Sequence, residues 1–170
     1  WKLTMKNGDT ISLKTRLTIE KQEVVTYCPE DTPMETTEEL NTLLASIEKE
    51  VSSDTPVYLY LPAVTYDGEI TFGDHVWQIF GSTDGDATTT FTGTVNVNGK
   101  NGNYGIMSGI RFEGSSGTGL NANCFVLLSG CSFSGWGIAA IAQDGAWVSA
   151  SDCSFTNNGT ALKFNTSMAY

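Results

Sequence analysis

Few residues in this chain combine the type and the spacing that chemistry needs. Arg111 and Glu113 flank Phe112, so strand alternation puts both on one side. A calcium cluster needs several converging oxygen ligands, and one Glu beside one Arg reads instead as a surface ion pair. Asp84-Gly85-Asp86 offers two carboxylates one residue apart, a weak candidate for Ca²⁺. The run lacks the further acidic positions of a calcium loop and reads as a turn, so no metal site and no cofactor are expected. The single histidine, His75, stands in a turn without a nearby nucleophile and partner base, and reads as a turn residue.

The four cysteines, Cys28, Cys124, Cys131 and Cys153, contain no C-x-x-C spacing, which argues against structural zinc. Cys131 and Cys153 share one repeat position and read as stacked inward thiols. A disulfide between them is within reach of neighbouring strands about 4.8 Å apart, but parallel Cβ vectors suit that bond badly. Cysteine usage therefore leaves the redox compartment open.

Aromatic residues are the stronger surface candidates. Tyr104, Phe125 and Trp147 recur at one repeat position. Facing outward, they would form a flat platform on which the CH groups of sugar rings meet π faces; facing inward, they would be a core ladder. Trp136 stands between two glycines in Gly135-Trp136-Gly137, where a turn would expose it, by chance or for binding.

These candidates sit in a stretch that repeats itself. Gly109-Ile110-Arg111-Phe112 returns as Gly130-Cys131-Ser132-Phe133 and as Asp152-Cys153-Ser154-Phe155, with the phenylalanines 21 and then 22 residues apart. Val126 with Val148 and Leu128 with Ala150 keep the longer step, and Phe91 precedes Phe112 by 21 residues. A period of this size is the signature of stacked units too small to bury their own apolar faces. Apolar residues alternate within each unit, and Gly, Ser and Asn separate the runs. Short strands with tight turns and no helix describe one rung of a parallel β-helix.

Upstream, residues 1–14 read as a β-hairpin turning at Asn7-Gly8, followed by short strands around Leu17–Ile19 and Val24–Tyr27. Cys28 to Pro33 breaks the pattern as a linker. Thr36-Thr37-Glu38-Glu39 is a capping box, and Leu40, Leu43, Leu44, Ile47 and Val51 follow at helical spacing. One amphipathic helix is therefore expected over about 37–51. Strands follow at 57–61, 66–72, 76–81 and 89–93. Residues 1–33 are expected to form a small β appendage and linker, and 34–170 a β-helix domain.

The capped helix, a strand ending at Pro62, Tyr66-Asp67-Gly68-Glu69-Ile70, a strand closing on Gly81, and Cys-x-Phe rungs resemble the right-handed parallel β-helix superfamily of pectate lyases and pectin esterases. The resemblance covers about residues 36–165. It implies an all-β, single-stranded right-handed solenoid whose N-terminal helix caps the first rung. It does not carry an activity, because many functions share this scaffold. The N-T-D, D-D, G-H-G and R-I-K segments of polygalacturonases are absent, as is the esterase set of two aspartates with an arginine.

With 9 Lys and Arg against 19 Asp and Glu, the net charge of −10 repels phosphate backbones and excludes nucleic acid as a natural partner. No apolar run reaches membrane-spanning length. The sequence reads as an extracellular or cell-surface module, bacterial in style and without catalysis of its own. It would bind a glycan or protein partner, or serve as a spacer or sensor ectodomain. The rival reading is a lyase or hydrolase acting on acidic polysaccharide from the face bearing Arg111, Glu113 and Lys163. With no helix expected after the last rung, further chain or end-to-end pairing of two molecules is expected to cover it.

Overall fold

A computed structural model describes residues 2–4, 6, 10–12, 23–100 and 102–165. The chain winds through five stacked coils, spanning 57–72, 77–97, 104–122, 125–143 and 148–165, and each coil contributes one strand to each of three parallel sheets. Sheet one holds Val57–Tyr60, Trp77–Phe80, Tyr104–Ser108, Phe125–Ser129 and Val148–Ser151. Sheet two holds Thr65–Tyr66, Thr90–Phe91, Arg111–Glu113, Ser132–Ser134 and Ser154–Thr156. Sheet three holds Ile70–Phe72, Val95–Val97, Thr118–Ala122, Ile138–Gln143 and Thr160–Asn165. The fold expected from the repeat, an all-β parallel solenoid with one helix, is the fold observed.

The inward phenylalanines form one column. Phe91, Phe112, Phe133 and Phe155 are direct register partners in sheet two, and Tyr66 begins the same column. From Tyr66 onward, successive ring centroids lie 5.3, 5.7, 4.2 and 5.1 Å apart. Phe112 and Phe133 are almost parallel, at 3°. Offset-stacked aromatic pairs add to the apolar area they bury, so the column is a main axis of cohesion.

The corner between sheets one and two explains the recurring small residue ahead of each phenylalanine. Gly109 and Gly130 hold φ of 66° and 60° there, and Asp152 takes φ 54° on the last coil. A left-handed residue reverses the chain in one step, and glycine, or Asp and Asn at small cost, tolerates it. The run 66–72 is likewise two strands and not one, bent at Asp67-Gly68-Glu69 with Gly68 at φ 92°.

The helix runs from Thr37 to Glu50. Thr36 Oγ1 accepts from Glu39 N at 3.2 Å, and Glu39 Oε2 accepts from Thr36 N at 3.1 Å, so the capping box forms in full. Leu40, Leu43, Leu44 and Ile47 are buried and join the solenoid core. The helix packs beside Ile70–Phe72, where Thr37 Oγ1 donates to Asp67 Oδ1 and accepts from Asp67 N, both at 2.9 Å. Burying those side chains seals the apolar cross-section of the first coil, at about 1.5–3 kcal/mol for each fully buried side chain.

The N-terminal strands pair in two ways. Val25–Tyr27 pairs in parallel with Val57–Leu59, so this strand extends sheet one. Lys2–Thr4 and Thr10–Ser12 pair antiparallel, as a hairpin requires. Its Asn7-Gly8 turn and the expected strand at Leu17–Ile19 lie outside the described residues. Coil five is the least buried: Phe155 is only partly covered, and Ala150, Ala161 and Phe164 are exposed. No described helix is long and apolar enough to cross a membrane.

Candidate ligand-binding face

The outward side chains of sheet one form three rows parallel to the solenoid axis, because in-register pairing sets equivalent residues above one another. The first row is Tyr104 beside Phe125, with Trp147 next in line through the bond from Val126 N to Trp147 O at 2.8 Å. The middle row is Tyr58, Gln78, Ile106, Leu127 and Ser149. The third is Tyr60, Phe80, Ser108, Ser129 and Ser151. The intervening Val57, Leu59, Trp77, Ile79, Met107, Val126 and Leu128 are buried, so alternation assigns the two sides without ambiguity.

The aromatic line therefore faces outward: Phe125 is 43% and Trp147 62% exposed, and Tyr104 is half-buried. The inward-ladder alternative falls, since that position lies on the solvent side of the strand. Among the described residues these three rings do not pair with one another; Trp147 instead leans on Phe164, at 6.0 Å and 50°. On the first two coils Tyr60 stacks on Phe80 at 4.8 Å and 16°, and Tyr58 meets Phe80 edge-on at 6.3 Å. Gln78 Nε2 donates to Tyr58 Oη at 3.0 Å, which fixes the ring edge.

The other two faces are polar. Sheet two presents Arg111, Glu113, Ser132, Ser134, Ser154 and Thr156. Arg111 Nη1 lies 3.5 Å from Glu113 Oε1, both side chains nearly half exposed, so the expected surface ion pair is present. Lys163 lies on sheet three, and the three charged candidates do not converge. Sheet three also carries an amide ladder, with Asn121 Nδ2 donating to Asn96 Oδ1 at 3.0 Å and Asn96 Nδ2 to Glu69 Oε1 at 2.6 Å. Asp84 pairs with Ala87 in a two-residue hairpin whose turn is Gly85-Asp86, and both carboxylates are exposed. Among the described residues, no three His, Cys, Asp or Glu gather as a metal site would require.

Trp136 overturns the expectation of an exposed turn residue. It is 4% exposed and fills the space beside Gly114 and Gly119, where an added Cβ would stand 2.4 Å and 3.0 Å from the indole. The two glycines on the preceding coil leave a slot, and the turn delivers the ring into it. Asn158 holds the turn by accepting from Trp136 N at 2.9 Å and donating to Phe133 O at 3.0 Å. His75 does lie in a turn, yet it is buried, edge-on to Trp77, with Nε2 3.7 Å from Glu48 Oε1. The described cysteines are free: Cys131 is buried and Cys153 partly so. Burial pushes the Cys131 thiol up to about 11 and the Tyr66 phenol well above its ordinary range.

Sequence reasoning named Tyr104, Phe125 and Trp147 but missed Tyr58, Tyr60, Phe80 and the serine row as parts of the same face. The signal was available, since alternation within Val57-Tyr58-Leu59-Tyr60 marks the two tyrosines as outward. What was missing was the register that puts Gln78 and Phe80 beside them. Comparison with protein-family models, with curated proteins and with solved structures gives no match.

Proposed function

We propose that this protein is a non-catalytic β-helix module that binds a glycan across the outer face of sheet one. The observation that carries the reading is the outward row of Tyr104, Phe125 and Trp147 on three consecutive coils. Aromatic side chains left in water on a rigid sheet are an unusual use of apolar surface, and such patches mark interaction sites. A parallel sheet holds them without ordering cost on binding, because the strands beneath are fixed by ladder bonds and a packed core. The chemistry is adhesion through π faces and hydroxyls and calls for no cofactor.

An extracellular or cell-surface setting accompanies that ligand class, and the scaffold resembles that of pectate lyases and pectin esterases. The lyase alternative finds less support, because Arg111 is spent on Glu113 and Lys163 stands on another sheet. A glycan array probed with the wild-type chain and with Trp147→Ala tests the reading. Specific signals that fall in the variant support it; an array without signals for a folded protein would sink it.

A further inference from the structure

The charge pattern narrows the ligand further, and this step rests on the glycan reading above. The chain has a formal charge of −10, yet no outward position of sheet one in the five coils bears a charge. The nearest charges along the chain to the last strand are Asp144 and Asp152, which sit in the turns on either side of it at φ 53° and 54°. Both of these acidic residues stay off the face.

On coils three to five the face has two chemically different margins. One is the aromatic row already described. The other is Ser108, Ser129 and Ser151, in register four residues further along each strand and so about 13 Å away. Ile106 and Leu127 fill the strip between them on coils three and four. The coils repeat at about 4.8 Å, close to the rise of one sugar unit in an extended glycan.

This pattern suits a pyranose chain, which has apolar CH faces and a fringe of hydroxyls. It does not suit a uronate. A carboxylate laid against aromatic faces loses its hydration, meets the negative side of the ring quadrupole, and finds no Lys or Arg on the face to pair with. The protein's own charge adds a repulsion at a distance. We propose that the outer face of sheet one binds an uncharged glycan laid along the solenoid axis. Trp147 and Phe125 lie under its sugar rings, and the serine row exchanges hydrogen bonds with its hydroxyls.

Calorimetric titration of the whole chain tests this with a panel of neutral polymers (β-glucan, galactomannan, xylan) and with polygalacturonate, each at low and high salt. The expected result is binding to a neutral polymer, little changed by salt, and weakened about tenfold or more by Trp147→Ala. Phe125→Ala is the second variant, and because both side chains are exposed, both proteins should melt with the wild type. Binding to polygalacturonate alone, falling with salt, would overturn the uncharged class and leave glycan binding standing. Neutral binding untouched by either variant would overturn the location. Binding to neither polymer class would remove the glycan reading itself, and would leave a protein as the partner for this face.

Discussion

Trp136 stands so close to Gly114 that a Cβ added at residue 114 would lie 2.4 Å from its ring. The indole belongs to one coil and the glycine to the coil before it, so each specifies the other across the stack. Gly114→Ala is expected to destabilise the protein by about 1–3 kcal/mol through overpacking. Trp136→Ala should cost about 3–5 kcal/mol, as a large buried aromatic does. The double variant should cost less than the two singles together, because the emptied slot accepts the new methyl group. Denaturant unfolding of the four proteins measures the coupling, and strict additivity would refute it.

The phenylalanine column should grade in strength along the axis. Phe112 and Phe133 are fully buried, and Phe155 is only partly covered by its coil. Phe133→Ala is expected to cost about 3–5 kcal/mol. Phe155→Ala should cost clearly less, since its ring has one stacked neighbour where Phe133 has two. Equal losses in chemical denaturation would mean that coil five is covered in solution.

The helix cap can be weakened without touching the core. Thr36→Ala removes the acceptor for Glu39 N and should cost about 1 kcal/mol. Thr36→Ser should restore most of that loss, because the hydroxyl is what the box requires. Thermal melts of the pair decide the matter.

Stability should fall on the alkaline side. Burial raises the Cys131 thiol from 9.0 to about 11, so the folded protein holds this proton more tightly than the unfolded chain does. The contribution is complete below the unfolded value and is lost as pH rises from about 9 to 11. Tyr66, buried and near Glu39 and Glu35, shifts in the same direction and adds to the loss at still higher pH. Its hydroxyl donates to Met34 O at 2.5 Å and ties the segment before the helix to the first coil. Unfolding curves across this range should show the decline, and Cys131→Ala should flatten its first part.

The surface ion pair should matter little. Both partners are nearly half exposed at 3.5 Å, and such pairs contribute about 0–1 kcal/mol. Arg111→Ala should therefore melt within a few degrees of wild type at low and high salt. A large loss would show that Arg111 has a partner beyond Glu113.

Local rules made much of the fold legible. The 21- and 22-residue steps, strand alternation and the capping box each depend on neighbours in sequence, and each appears in the structure where it was expected. The inward Phe column follows from those rules alone, because equal steps in a coil put equal side chains above one another.

Tertiary structure decided the rest. Whether Trp136 is buried depends on Gly114 and Gly119, about one coil away in sequence, and a turn flanked by glycine looks exposed until that slot is built. Which way Tyr104, Phe125 and Trp147 face depends on where each strand enters its sheet, and a shift of one residue would invert all three. The uncharged face exists only once Tyr58, Phe80, Ile106 and Ser129 are brought side by side from four coils. Periodicity determines what stacks; the placement of corners determines which side meets water, and the proposed binding face lies on that side.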